Sequence, residues 1–371
     1  MNDIFSWQRE LWKLLMPAGE PASGMPSLGH ALLLRGRKGI GKLAFARHLA
    51  KSLLCGHRTS ERMACGKCAS CIWFENRTHP DFCLIEPEAV AGTSGSPEPL
   101  EASSEKAVAG AGDEGEVPSG KKAAKKPSKQ IVVEQIRNVA DFVNISSHQN
   151  GYKIVLIHPA ETMNLAAANA LLKNLEEPPP RTLFIVVTHQ AQYLLPTMRS
   201  RCRQIPMPVP DRAAALDWLR QQGVKSPETC LASAGYAPLA ALEFNDESYL
   251  ELHDYFIREV SAYGNLNPVA LAERMQKADL PTVVNWLQKW CYDLMSFCVA
   301  GKTRYHLDSA ATMKTLAHDI DPRSLSAYLR SLAEAQQLAS HPLNARLFLE
   351  ELLFSYLKAL SPRSLNSSVS R

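Results

Sequence analysis

Residues 36–43, Gly-Arg-Lys-Gly-Ile-Gly-Lys-Leu, match the phosphate-loop pattern G-x-x-x-x-G-K-[ST] everywhere except at the last position. In this kind of loop the backbone N–H groups bind phosphate oxygens, the lysine neutralises terminal phosphates, and the final hydroxyl ligates Mg²⁺. Leu43 has no hydroxyl and cannot ligate a metal ion. The candidate nucleotide-binding residues are Gly36, Gly39, Gly41 and Lys42.

The sequence on either side of the loop supports a phosphate-loop fold. An apolar run at residues 31–34 predicts a buried parallel strand that leads into the loop. After the loop, apolar residues recur at the spacing of a helix with one buried face: Ala46, Leu49, Ala50, Leu53 and Leu54. The alternative, a glycine-rich turn with no phosphate role, is left open by the motif alone and disfavoured by this context.

The composition is that of a globular protein, since 46% of the 371 residues are hydrophobic. A chain of this length is expected to form about two or three domains. No apolar run approaches the ~20 residues of a membrane span, and the N-terminal sequence lacks the layout of a secretory signal, so we expect a cytoplasmic protein. The net charge of only +4 argues against an autonomous, strongly electrostatic nucleic-acid binder.

A cluster of cysteines predicts a metal site. Cys65, Cys68 and Cys71 are separated by two-residue gaps, and Cys55 lies at the end of the predicted phosphate-loop helix. The odd total of nine cysteines disfavours a secreted disulfide framework. We therefore predict a structural zinc ion held by these thiolates, a set that leaves no coordination position open for water. Free thiols are the less favoured alternative.

Two histidines near this cluster are rival ligands. His57 and His79 each lie in a polar stretch, where a lone histidine is more often a solvated side chain. The remaining cysteines are scattered in apolar surroundings and are predicted to be small buried core residues: Cys83, Cys202, Cys230, Cys291 and Cys298.

Alternating strands and helices indicate that residues 1–206 form an α/β domain with a parallel sheet. Further strands are predicted from apolar runs, and helices from apolar residues at helical spacing. The predicted strands span residues 81–85, 153–157 and 183–188, and the predicted helices span residues 133–144 and 165–175.

Two insertions interrupt this domain. The first is the cysteine module at residues 55–83. The second, at about residues 87–128, contains no aromatic residue and is rich in Gly, Ala, Ser, Pro, Glu and Lys. Such a segment cannot bury enough apolar surface to fold, so we predict a disordered insertion. Its lysine-rich part could contact nucleic acid, although a solvated tether is favoured.

The rest of the chain is predicted to be helical. Residues 207–246 form a small helical lid domain and residues 247–371 a helical collar domain of bundle type. The predicted helices span residues 211–222, 227–234, 238–244, 280–300, 324–338 and 343–360. Four aromatic side chains are predicted to be core rather than a ligand-binding box: Trp286, Trp290, Tyr292 and Phe297.

Several motifs in one order give a specific resemblance. They are the phosphate loop, the four-cysteine insertion, Thr78-His79-Pro80-Asp81, the run Asn-Ala-Leu-Leu-Lys-Asn-Leu-Glu-Glu-Pro-Pro at residues 169–179, and Ser200-Arg201-Cys202. Together they resemble the bacterial clamp-loader branch of the AAA+ family. The resemblance covers roughly residues 1–86 and 130–245 and implies an AAA+ phosphate-loop domain.

The chain departs from the motor subunits of that branch where ATP hydrolysis is concerned. Leu43 replaces the hydroxyl residue, His158 and Pro159 stand where an Asp-Glu pair is expected, and Pro238 replaces an arginine of the lid. Because phosphoryl transfer depends on positioning and charge neutralisation, these losses should abolish hydrolysis. Glu161, three residues beyond His158, is not expected to replace the lost carboxylate. Nucleotide binding by the loop is left open.

The resemblance therefore implies a stator that does not hydrolyse ATP itself. Such a subunit belongs to a heteropentameric ring that loads the sliding clamp on primed DNA in the DNA polymerase III holoenzyme, beside a delta subunit and a gamma/tau motor subunit. Arg201 is implied to act in trans on the neighbour's ATP. Two other classes stay open: a working ATPase of the same branch, and a zinc-dependent DNA-binding protein.

Overall fold

The structure is a computed structural model that describes residues 4–17, 28–91, 128–145, 147–148, 151–318, 320–339, 341 and 343–361. The described residues divide into two compact units. The first unit comprises the described parts of Met1–Ile4, Gln8–Gly36 and Lys42–Met207. The second unit comprises those of Phe5–Trp7, Arg37–Gly41 and Pro208–Arg371.

A five-stranded parallel sheet organises the first unit. Its strands are β1 Ala31–Arg35, β2 Phe82–Ile85, β3 Lys153–Ile157, β4 Thr182–Thr188 and β5 Arg203–Pro206, in the spatial order β2-β3-β4-β1-β5. The predicted parallel sheet is therefore confirmed. Strand β5 was not predicted, because this short strand buries only Ile205 and so carries no apolar run.

The first unit also contains helices, three of which share a buried core with the sheet. The helices are α1 Arg9–Leu15, α2 Lys42–Leu54, α3 Ala69–Glu75, α4 Glu88–Ala91, α5 Val133–Asn144, α6 Leu165–Glu176 and α7 Pro196–Arg201. Phe184 of β4 packs in one buried cluster that also holds Ile136 of α5, Leu171 of α6 and Met198 of α7. The α6 helix begins after Asn164, whose side chain accepts a hydrogen bond from the Ala167 N–H and so caps the helix.

The second insertion begins with ordered structure rather than disorder. Residues Glu88–Ala91 form α4, which corrects the predicted start of the disordered segment. The Ala89 N–H donates to the Ser128 carbonyl at 3.0 Å, and the Ser128 N–H donates to a Glu88 carboxylate oxygen at 3.0 Å. These bonds bring together the two points where the insertion leaves and rejoins the domain. Residues 92–127 lie outside the described residues.

The second unit is helical. Its helices are α8 Arg212–Gln221, α9 Pro227–Ser233, α10 Pro238–Ala241, α11 Glu247–Ser261, α12 Pro268–Met275, α13 Leu280–Ala300, α14 Ala310–Ala317, α15 Pro322–Leu338 and α16 Ala345–Leu360. Two buried clusters lie within it, one formed by residues of α8 to α10 and the following turn, the other by residues of α11 to α16. These clusters fit a separate lid and collar, and the predicted boundaries at residues 206 and 246 stay a prediction. None of the described helices is both long and apolar enough to cross a membrane.

The predicted collar core needs one correction. Trp286 and Trp290 are buried as predicted, whereas Tyr292 is 42% exposed. Phe297 is partly buried against the same core. Tyr292 follows the fully buried Cys291 on α13, and one residue advances a helix by about 100°, so Tyr292 points away from the core.

Candidate nucleotide, metal and arginine sites

In the first unit, the lysine of the phosphate loop turns back onto its own loop. Lys42 is only 2% exposed, and its Nζ donates a hydrogen bond to the Gly36 carbonyl at 2.6 Å. Burial lowers the pKa of Lys42 to about 8, although the Glu161 carboxylate opposes this shift. The ammonium group is thus partly occupied by the carbonyl that begins the loop, and an anion would have to compete with that bond.

In the second unit, the middle of the loop packs against α10. Gly39 and Gly41 both have a left-handed backbone, with φ of 81° and 88°, which favours glycine. The Gly39 carbonyl accepts a hydrogen bond from the Leu239 N–H at 2.9 Å. A Cβ atom added to Gly39 would lie 2.8 Å from Ala240 Cβ. The side of the loop at Gly39 is therefore covered by α10.

This packing predicts a destabilising effect of Gly39→Ala. The left-handed backbone strains any alanine by about 1 kcal/mol, and the clash with Ala240 adds about 1–3 kcal/mol. The matched control is Gly29→Ala, because Gly29 has a similar φ of 76° but open space around its Cβ position. Chemical denaturation of both variants should show the larger loss for Gly39→Ala. Equal losses would mean that α10 does not pack against the loop in solution.

The segment after β3 has no adjacent pair of carboxylates that could ligate a metal ion and activate a water. His158 Nδ1 lies 3.2 Å from a Glu86 carboxylate oxygen. Glu161 accepts a hydrogen bond from Thr188 Oγ1 at 2.8 Å with one oxygen and from the His189 N–H at 3.0 Å with the other. Because both oxygens of Glu161 are bound to the end of β4, this carboxylate fixes the local structure and is poorly placed to activate a water.

The four predicted metal ligands meet in one cluster. Their sulfur atoms, from Cys55, Cys65, Cys68 and Cys71, lie within 4.8 Å of one another. Cys55 Sγ is 3.6 Å from Cys65 Sγ and 3.8 Å from Cys68 Sγ. A tetrahedral zinc with Zn–S bonds of about 2.3 Å places its sulfurs about 3.8 Å apart, so the geometry fits this ion.

The electrostatics of the cluster also fit a cation. The backbone N–H groups of Lys67 and Cys68 lower the pKa of Cys65 to about 6. Burial instead raises the pKa of Cys55 and of Cys71, so these thiols resist ionisation unless a positive charge lies close by. A divalent metal ion would supply that charge and hold four thiolates together.

The cluster is formed by the end of α2, the start of α3 and a turn between them. Cys55 directly follows α2, Cys68 is the residue before α3, and Cys71 lies in the first turn of α3. Gly66, with φ of 73°, forms the turn between Cys65 and Cys68. Glu75 of α3 forms a salt bridge with Lys51 of α2, which joins the two helices that flank the cluster.

His79 is not one of the four clustered residues, and it supports the cluster through hydrogen bonds. It is only 6% exposed, so the prediction of a solvated side chain was wrong for this residue. Its Nδ1 accepts from the Asp81 N–H at 3.0 Å, which leaves Nε2 to donate to Ser70 Oγ at 2.8 Å. Ser70 Oγ in turn donates to the Leu54 carbonyl at 2.9 Å, beside Cys55. These hydrogen bonds were not predicted, and the only sequence signal for them is that Ser70 is adjacent to Cys71.

His57 is exposed, as predicted. Of the other cysteines, Cys202, Cys230 and Cys291 are buried as predicted, while Cys83 and Cys298 are half-buried.

Each residue of the Ser200-Arg201-Cys202 motif has a distinct place. Cys202 is buried, and burial raises its pKa to about 11, as expected for an inert core thiol. Ser200 Oγ and Arg201 Nη1 both donate to the Thr197 carbonyl, at 3.0 Å each. Arg201 Nη2 lies 2.7 Å from a Glu176 carboxylate oxygen, and the arginine side chain is 35% exposed. The motif thus presents a guanidinium at the surface, at the end of α7.

Comparison with known proteins agrees with these motifs. A family model described as "DNA polymerase III, delta subunit" matches residues 22–211, and one for the C-terminal part of that subunit matches residues 248–357. The DNA polymerase III subunit delta' of Pseudomonas aeruginosa is 34% identical over 303 residues, which are 80% of this chain and 79% of the relative. The chain belongs to the DNA polymerase III delta-prime family.

Other family members match over most of their length. The delta' subunit of Yersinia pestis is 30% identical over 349 residues, which are 90% of this chain and 90% of that protein. The delta' subunit of Escherichia coli K12 is 25% identical over 368 residues, which are 96% of each chain. The resemblance derived from the motifs is therefore confirmed, and it extends to the helical C-terminal region.

Proposed function

We propose that this chain is the stator subunit of a bacterial clamp loader, within a heteropentameric ring that also contains delta and gamma/tau subunits. The ring would load the sliding clamp on primed DNA during replication. Family membership supports this role, since the relatives are subunits of DNA polymerase III.

One observation carries the proposal that the subunit assists ATP hydrolysis without performing it. Arg201 is held at the surface by groups of its own chain, whereas the hydrolytic positions of the same chain lack metal ligands. Leu43 has no hydroxyl, and both oxygens of Glu161 are bound by β4. A guanidinium that has no complete site in its own chain suits action on a neighbour's nucleotide.

The cysteine cluster is proposed to hold one structural zinc ion. Cys55, Cys65, Cys68 and Cys71 would be its ligands, and the bound ion would join the end of α2 to the start of α3. With four thiolate ligands the ion has no place for a water, so its contribution is to folding and not to catalysis.

The test of the proposed function is assembly combined with ATP turnover. Mixing the full chain with delta and gamma/tau subunits should give a complex whose mass accounts for all three kinds of subunit. The isolated chain should release no magnesium-dependent phosphate from ATP above the level of a Lys42→Ala variant. Turnover that rises with magnesium and disappears in Lys42→Ala would instead support a working ATPase. High-affinity, salt-dependent DNA binding by the isolated chain without assembly would support the DNA-binding alternative.

A further inference from the structure

Arg201 has a second anchor that its motif does not contain. Glu176, the last residue of α6, places a carboxylate oxygen 2.7 Å from Arg201 Nη2. The Thr197 carbonyl accepts from Nη1 of the same guanidinium at 3.0 Å. One side chain is thus held at two of its nitrogens by two helices, although it is 35% exposed and its partner Glu176 is 49% exposed.

We propose that Glu176 is a positioning residue for Arg201, an inference that rests on the proposed trans-acting role of this arginine. An arginine carries five N–H donors in a planar fork, and these two contacts use two of them. The other three stay available for the phosphate oxygens of a neighbouring nucleotide. Glu176 therefore fixes the direction of the fork without blocking it.

The contact with Glu176 is expected to order the Arg201 side chain and to add little to the stability of the fold. An exposed ion pair adds little to the stability of a fold, because solvent screens the charges and two long side chains lose freedom. An unpaired arginine side chain samples many rotamers and loses this conformational entropy when it binds the transition state. If the arginine is already oriented in the assembled complex, the activation free energy does not include that loss. Replacement of Glu176 should therefore leave the fold intact and lower the rate.

The adjacent Glu177 offers a matched control. It has the same chemistry and is exposed, but it is the residue at which the backbone leaves α6, with φ of −122° and ψ of 72°. Within the part of the chain that the structure describes, no ion pair involves Glu177. Glu176→Gln and Glu177→Gln thus remove the same charge at neighbouring positions, and only the first removes a charge that pairs with Arg201.

The experiment uses reconstituted rings in which only this subunit is varied, with assembly confirmed by mass. Glu176→Gln should lower kcat of DNA-stimulated ATP hydrolysis at the adjoining motor subunit about three- to tenfold, with KM for ATP unchanged. Glu177→Gln should stay within about twofold of wild type, the spread expected of a surface change. The double variant Glu176→Gln, Arg201→Ala should be no slower than Arg201→Ala alone, because Glu176 acts through the arginine.

The outcomes distinguish the positioning role of Glu176 from the trans-acting role of Arg201. A wild-type rate for Arg201→Ala would overturn the trans-acting role and the positioning role together. A slow Arg201→Ala ring with a wild-type rate for Glu176→Gln would overturn the positioning role alone. Independent, multiplying losses in the double variant would do the same, since they would mean that Glu176 acts on the rate by another route.

Discussion

Arg201→Ala in this subunit is expected to lower ATP turnover at the adjoining motor subunit by about 10³-fold or more, the range that a supplied arginine contributes in other nucleotide hydrolases. The reason is electrostatic, because the guanidinium places a permanent positive charge where negative charge develops on the transferred phosphoryl group. Clamp loading should slow with it. The measurement is single-turnover hydrolysis and clamp loading by reconstituted rings that carry the substitution in this subunit alone.

Two control variants make this result specific. Arg220, an exposed arginine in the last turn of α8 that also pairs with carboxylates, should tolerate replacement by alanine without a loss of rate. Arg201→Lys should recover little of the lost rate, because lysine keeps the charge but lacks the planar fork of donors. If Arg201→Ala rings assemble normally and both hydrolysis and clamp loading match wild type, the trans-acting role is wrong.

The fold was largely predictable because its signals are local. Residues 153–157 of β3 and 280–300 of α13 were predicted with the bounds that the structure has, since a continuous apolar run and a helical period depend only on neighbours in the chain. Strand β5 was missed because only Ile205 faces the core in it. The start of the second insertion was misjudged because α4 is a single short helix in a polar sequence.

The sequence predicted which residues belong to the candidate sites, but it did not predict their three-dimensional contacts. Cysteine spacing predicted the four side chains that meet in one cluster, because structural zinc sites commonly take pairs of ligands from nearby positions in the chain. The contact between Gly39 and Leu239, the bonds from Glu161 to β4, and the pair of Glu176 with Arg201 all join residues far apart in the sequence. Neither periodicity nor a sequence motif predicts such pairings. They determine that the phosphate loop packs against α10 and that the guanidinium of Arg201 is paired with a carboxylate.

Replacement of a clustered cysteine, as in Cys68→Ser, is expected to cause loss of the zinc ion. Protein purified without chelator should contain one zinc per chain, and Cys68→Ser should contain almost none, because the substitution removes one of the four ligands. In zinc-finger peptides, structural zinc contributes an apparent ~10–16 kcal/mol to folding, so the region around the cluster should unfold locally when the metal is lost. Hydrogen exchange should rise in residues 55–79.

The same experiment contains its own controls. Cys83→Ser removes a thiol from β2 that is not part of the cluster, and this variant should keep one zinc per chain. Exchange in α13 and α15 should stay at the wild-type level, because the buried cluster of α11 to α16 contains none of the four ligands. Substoichiometric zinc in the unchelated wild-type protein, or a full complement of zinc in Cys68→Ser, would rule out the proposed site. Zinc loss from Cys68→Ser without faster exchange in residues 55–79 would show instead that the metal binds there without holding the module together.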